Sequence, residues 1–136
     1  MSLRSATAFA PATVGNVGIG FDILGHAFPA IGDRVRAIRS TQPGVRIREI
    51  TGIATELPVE AARNTAGKAV LSLMESQALP FGIELAIEKG IPLGSGLGGS
   101  AASAVAAVVA ANELLDQPLM RIELLKHAIQ GEAVAS

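Results

Sequence analysis

Residues 91–102 read Ile-Pro-Leu-Gly-Ser-Gly-Leu-Gly-Gly-Ser-Ala-Ala. Nine of these positions, 94–102, hold four glycines and two serines. An alternating stretch before them predicts a strand, and an Ala/Val-rich stretch after them predicts a helix. Glycine lets the backbone turn sharply and approach a ligand closely. A helix start presents unpaired N–H groups and the positive end of a dipole. The combination is an anion site, and it suits the phosphate chain of a nucleotide. A glycine turn that simply opens an ordinary helix uses the same residues.

Three phosphate-binding patterns compete for this stretch. A Walker loop ends in Gly-Lys-Ser/Thr, so that the lysine reaches the terminal phosphates. Here the matching residues are Gly99-Ser100-Ala101, and the lysine is missing. Gly94, Gly96 and Gly99 match the dinucleotide fingerprint G-x-G-x-x-G. That fingerprint needs an acidic residue at the end of a second strand to hold a ribose. The candidates, Glu113 and Asp116, fall at a helix end. The third pattern wraps the triphosphate in backbone and sets a serine at the helix start beside a metal ion.

The rest of the chain limits the partners. Its 136 residues make one compact domain, and a net charge of −1 offers nothing to attract nucleic acid. The absence of cysteine excludes disulfides and thiolate metal sites. There is no Trp or Tyr for stacking bases. No apolar run is long enough for a secretory signal or a membrane span, so a cytoplasmic location is expected.

In chain order, residues 3–10 predict a first strand ended by Pro11. A second glycine-rich loop covers residues 11–20, and residues 21–25 return into a strand. Residues 34–39 and 45–50 alternate imperfectly and predict half-buried antiparallel strands across the turn Gln42-Pro43-Gly44. Arg34, Arg36, Arg46 and Arg48 could form a basic patch, but a solvated strand face is the simpler reading. Asn64 can cap a helix reaching about Gln77, with Ala66, Ala69, Val70, Leu73 and Met74 on one stripe. Residues 81–88 alternate cleanly as a strand. A buried central helix is expected over about 100–115. A last helix starts near Leu119, with Ile122, Leu125 and Ile129 as its apolar stripe. Lys89 precedes the loop and reads as solvated. His26 and His127 show no catalytic or metal pattern. The order predicts an α+β fold rather than a regular βαβ alternation.

Residues 92–102 resemble the ATP-binding motif of the GHMP kinases, the group that includes galactokinase, homoserine kinase, mevalonate kinase and phosphomevalonate kinase. The usual two serines after Gly-Leu-Gly are here Gly99-Ser100, so the first is lost and the metal-facing second is kept. Residues 10–25, Ala-Pro-Ala-Thr-Val-Gly-Asn-Val-Gly-Ile-Gly-Phe-Asp-Ile-Leu-Gly, are similar to the N-terminal signature of the homoserine kinase branch. They depart from it at Val14-Gly15 and Ile19.

The resemblance implies a GHMP kinase N-terminal domain (ribosomal protein S5 domain 2-like), with a mixed, mostly antiparallel sheet packed with helices. It also implies ATP and Mg²⁺, and transfer of the γ-phosphoryl group to the hydroxyl of L-homoserine in threonine biosynthesis. The ATP-binding residues it implies are Pro92, Leu93, Gly94, Ser95, Gly96, Leu97, Gly98, Gly99, Ser100, Ala101 and Ala102. Asn64 matches an asparagine near the adenine, a role that competes with its helix cap. Ser100 and Glu132, the latter in Gly131-Glu132, match the metal-binding pair. Asn16 and Asp22 match the homoserine pocket; as residue types they also favour turns. No general base stands out.

The alternatives are another small-molecule kinase of the group or a non-catalytic nucleotide-binding remnant. The resemblance covers only the N-terminal part of such enzymes. The chain is therefore expected to be truncated, without the C-terminal ferredoxin-like domain and inactive alone. It is also a candidate homodimer through the apolar surface left uncovered.

Overall fold

The computed structural model describes residues 4–15, 25–92 and 98–134. Strands β1 (Ser5–Gly15), β2 (Gly25–Ser40), β3 (Val45–Gly52) and β4 (Gly82–Lys89) form one sheet. Its order is β1-β2-β4-β3. Helices α1 (Thr65–Gln77), α2 (Gly99–Asn112) and α3 (Arg121–Glu132) complete the described residues, with a short 3₁₀ turn at Ala61–Arg63. The expected α+β class and mixed sheet are both present.

Alternation assigns the two faces of the sheet. Val35 and Ala37 on β2 and Ile83, Leu85 and Ile87 on β4 point inward and are buried. Ala102, Ala106, Ala107 and Ala110 of α2 join them in one core, with Val70 and Leu73 of α1. Each fully buried Leu or Ile here contributes about 1.5–3 kcal/mol. The other face of the sheet is open. Arg34 and Arg36 are exposed there, Arg34 lies 3.9 Å from Glu88, and Arg46 stands opposite Glu84. This mixed-sign surface is the solvated strand face, not a basic patch.

The pairing corrects two expectations. β1 does not stop at Pro11; it continues to Gly15, and the ladder with β2 changes register between Pro11 and Ala12. Pro11 pairs with Gly32 and Ala12 with Phe28, so Pro29 falls in the skipped stretch. A proline without an N–H is tolerated where the ladder is already interrupted. Nor do residues 34–39 and 45–50 pair with each other. β4 inserts between β2 and β3, antiparallel to the first and parallel to the second. A period of two tells which face a residue takes, not which strand lies beside it. The parallel β3–β4 pair needs a crossover, and α1 lies within it.

The start of α1 follows expectation. Asn64 Oδ1 accepts the N–H groups of Ala66 (3.0 Å) and Gly67 (3.2 Å), and its Nδ2 donates to Pro58 O at 2.9 Å. α2 is buried along most of its length, as its small residues predict. Asn112 ends it by bonding both the N–H and the C=O of Leu119.

α3 packs on an unexpected face. Ile122, Leu125 and Ile129 are 62%, 52% and 57% exposed, whereas Leu124, Ala128 and Gly131 are buried. Close approach explains the choice. A Cβ on Gly131 would lie 2.4 Å from Thr65 O and 2.8 Å from the Ala69 Cβ, so only glycine lets α3 meet α1 there.

His127 joins the same two helices. Its Nδ1 lies 2.7 Å from Ser72 Oγ. Burial lowers its pKa from the ordinary 6.5; nearby Glu123 opposes this and Lys126 adds to it. The folded protein therefore favours the neutral ring, while the unfolded chain takes up its proton near the ordinary value. The His127 contribution to stability is complete above pH about 6.5 and is lost as pH falls through the depressed folded value. Thermal melts from pH 7.5 to 5 should show a falling midpoint, and His127→Asn should flatten part of that slope.

Candidate active site

β4 leads directly into the glycine loop, and α2 leads out of it. Gly98, the N-cap of α2, has φ +74°, a left-handed conformation that favours glycine. A Cβ at this position would also lie 2.5 Å from Thr13 Oγ1. The outgoing stem thus rests against β1 two residues before Gly15, where the second glycine-rich segment begins. Gly15 and Gly25, which flank that segment, are paired across β1 and β2. The stems of both glycine segments converge at one end of the sheet.

Gly98, as the N-cap, has no side chain to cap α2, and among the described residues no other does so. The first-turn N–H groups of α2 have no acceptor within the helix and lie at the positive end of its 14 residues. Ser100 sits in this first turn. Its Oγ donates to Glu132 Oε2 at 3.1 Å, from 32 positions away in the chain. Glu132 Oε1 is buried and has no hydrogen-bond partner among the described residues. A buried carboxylate oxygen without a donor calls for a cation or a proton. A hydroxyl beside a carboxylate is a hard-oxygen set of the kind Mg²⁺ takes, together with water and phosphate oxygens. The fit to a magnesium ion is therefore good. Among the described residues no group of three or more His, Asp or Glu side chains forms an alternative metal cluster.

Packing carries Glu132 to this position. Gly131 lets the end of α3 settle against Thr65 at the start of α1 and against Ala104 of α2. The neighbouring glutamate then meets the first turn of α2. This also sets the start of α1, and with it Asn64, beside the pair. The contacts of Asn64 are those of a helix cap.

Pro92, Gly98, Gly99, Ser100, Ala101 and Ala102 flank the loop. Leu93, Gly94, Ser95, Gly96 and Leu97, and the substrate candidates Asn16 and Asp22, lie outside the described residues.

The sequence reading missed what lies beneath the loop. Lys89, expected in solvent, is 2% exposed and paired with fully buried Asp33. Its Nζ also donates to Gly99 O and Ser103 Oγ, both at 2.9 Å. The signal was present, because the alternation that buries Ile83, Leu85 and Ile87 carries Lys89 inward next. Asp33 likewise shares its row with Val35 and Ala37.

Comparison with known proteins agrees with this geometry. Residues 64–136 match the N-terminal domain of the GHMP kinases. The chain belongs to the GHMP kinase family. Within that family it is 59% identical over 133 residues to the homoserine kinase of Xylella fastidiosa (strain M12). The match covers 98% of this chain and 41% of that enzyme, so the chain spans about two fifths of the relatives it matches. It superimposes on the crystal structure of homoserine kinase from Cytophaga hutchinsonii with a TM-score of 0.90 and 46% identity, covering 98% of this chain and 42% of the other. The L. major mevalonate kinase in complex with R-mevalonate gives a TM-score of 0.72 at 19% identity over all of this chain and 45% of the other, a likeness of fold alone. Among the described residues no helix is long and apolar enough to cross a membrane.

Proposed function

We propose that the protein transfers the γ-phosphoryl group of ATP to the side-chain hydroxyl of L-homoserine, giving O-phospho-L-homoserine and ADP, as a cytoplasmic step of threonine biosynthesis. The observation that carries this reading is the 59% identity to a homoserine kinase over nearly the whole chain. The chain supplies the nucleotide-binding domain of such an enzyme. Residues 92–102 and the start of α2 receive the phosphates through backbone N–H groups. Asn64, at the start of α1, lies toward the adenine. Ser100 Oγ and Glu132 hold Mg²⁺, which when bound offsets the charge of the phosphate chain.

On this reading Asn16 and Asp22 receive the amino acid. The carboxylate of Asp22 pairs with the ammonium group, and the amide of Asn16 hydrogen-bonds the polar end. Support comes from the convergence of their segment's stems with the stems of the phosphate loop. Phosphoryl transfer demands mainly positioning and charge neutralisation, so orientation of the attacking hydroxyl suffices without a strong base.

The test is ADP release by the intact gene product with homoserine, mevalonate or galactose as acceptor. Dependence on homoserine is expected. Turnover with another alcohol in its place would refute the substrate assignment, and the absence of nucleotide binding would refute the kinase reading.

A further inference from the structure

Beneath the glycine loop lies a polar cluster that neither the apolar core nor the Ser100–Glu132 pair requires. Asp33 comes from β2, Lys89 from the end of β4 and Ser103 from α2; all three are buried. Asp33 Oδ1 accepts the backbone N–H groups of Gly90 (2.8 Å) and Ile91 (3.2 Å), the strand side of the loop. Asp33 Oδ2 accepts from Ser103 Oγ at 2.8 Å and from Lys89 Nζ. Lys89 Nζ completes its three donations on Ser103 Oγ and on Gly99 O, the helix side. One short carboxylate therefore ties together both ends of the loop.

Neutralising a buried lysine does not require this arrangement. A buried ion pair is often no more stable than apolar residues of the same volume. What these three residues add is geometry: their hydrogen bonds fix where Gly90 and Ile91 stand relative to Gly99. The backbone around them has no slack, since a Cβ on Gly90 would lie 2.0 Å from Gly32 O, next to Asp33.

We propose that Asp33 is a positioning residue, acting with Lys89 and Ser103 as a clamp that holds the two stems of the glycine loop in the spacing needed to receive a nucleoside triphosphate. This rests on the kinase reading of the loop. The clamp touches neither substrate. It acts through the backbone that does, so its loss weakens the nucleotide side more than the acceptor side.

The experiment compares Asp33→Glu and Ser103→Ala with wild type in the intact gene product. Asp33→Glu keeps the charge but moves the carboxylate by one methylene. Ser103→Ala keeps the ion pair, removes one hydroxyl, and serves if the first variant does not fold. The expected result is a rise in KM for ATP of about tenfold for either variant, with KM for homoserine changed by less than about twofold. A merely structural role would lower the amount of active enzyme and leave both KM values unchanged. Wild-type KM for ATP in a folded Ser103→Ala protein would overturn the clamp. Amide exchange without nucleotide, measured in Ser103→Ala and in Asp33→Glu if folded, separates the two readings. Faster exchange confined to Gly90, Ile91 and the first turn of α2 upholds the clamp even if wild type binds no ATP. In that case only the kinase reading falls. Unchanged exchange at those amides would overturn the clamp.

Discussion

Replacing Lys89 with methionine is expected to lower the unfolding free energy by about 3–5 kcal/mol. The substitution removes one charge and leaves the other, on fully buried Asp33, without its cation. The carboxylate would keep its two backbone N–H donors and Ser103, but the carbonyl of Gly99 would lose the Lys89 hydrogen bond. Asp33→Asn combined with Lys89→Met should recover most of the loss. The asparagine oxygen can still accept from Gly90 and Ile91, and no unpaired charge remains. Urea unfolding of the single and double variants, read by helical circular dichroism, measures both. A loss below about 1 kcal/mol for Lys89→Met would place the pair among solvent-screened surface bridges instead.

Glu132→Gln in the active enzyme is expected to reduce turnover at ordinary Mg²⁺ concentrations by about two orders of magnitude, with little change in melting temperature. Glutamine is close to isosteric and can still accept the hydrogen bond of Ser100. It removes the charge and alters Oε1, the oxygen that has no hydrogen-bond partner among the described residues. If Ser100 is a neutral ligand of the metal, Ser100→Ala should cost less. The decisive measurement is kcat/KM as a function of free Mg²⁺. A metal role shifts the curve to higher concentration, whereas a purely structural Ser100–Glu132 bond leaves Glu132→Gln at wild-type activity.

Much of this arrangement was readable because it is local. Asn64 caps α1, since an asparagine side chain reaches the N–H groups two and three residues ahead. A glycine stands at Gly98 because the turn into α2 takes a positive φ against Thr13. Alternation marked β4, and the small residues of α2 marked a buried helix. Ser100 and Glu132 could be named from motifs, but nothing local indicates that residues 32 positions apart touch.

Other features were misread for physical reasons. Ile122, Leu125 and Ile129 form the larger apolar stripe of α3, yet Ala128 and Gly131 face inward because backbone approach at Gly131 determines the contact. Lys89 was assigned to solvent by residue type, although its place in the alternation pointed inward. The exposed Arg34–Glu88 pair and the buried Lys89–Asp33 pair show that charge alone does not reveal burial.

Residue types and their spacing alone were enough to give the faces of the strands, the helix starts, the position of the glycine-rich segments and the kind of chemistry they can carry. These depend on backbone geometry and on spacing within a few residues. Long-range packing was needed to put β4 between β2 and β3, to turn the small face of α3 inward, and to bring Asp33, Lys89 and Ser103 together between the stems of the loop. Those outcomes depend on which surfaces pack together across long stretches of chain, where burial, close approach and charge pairing are settled jointly.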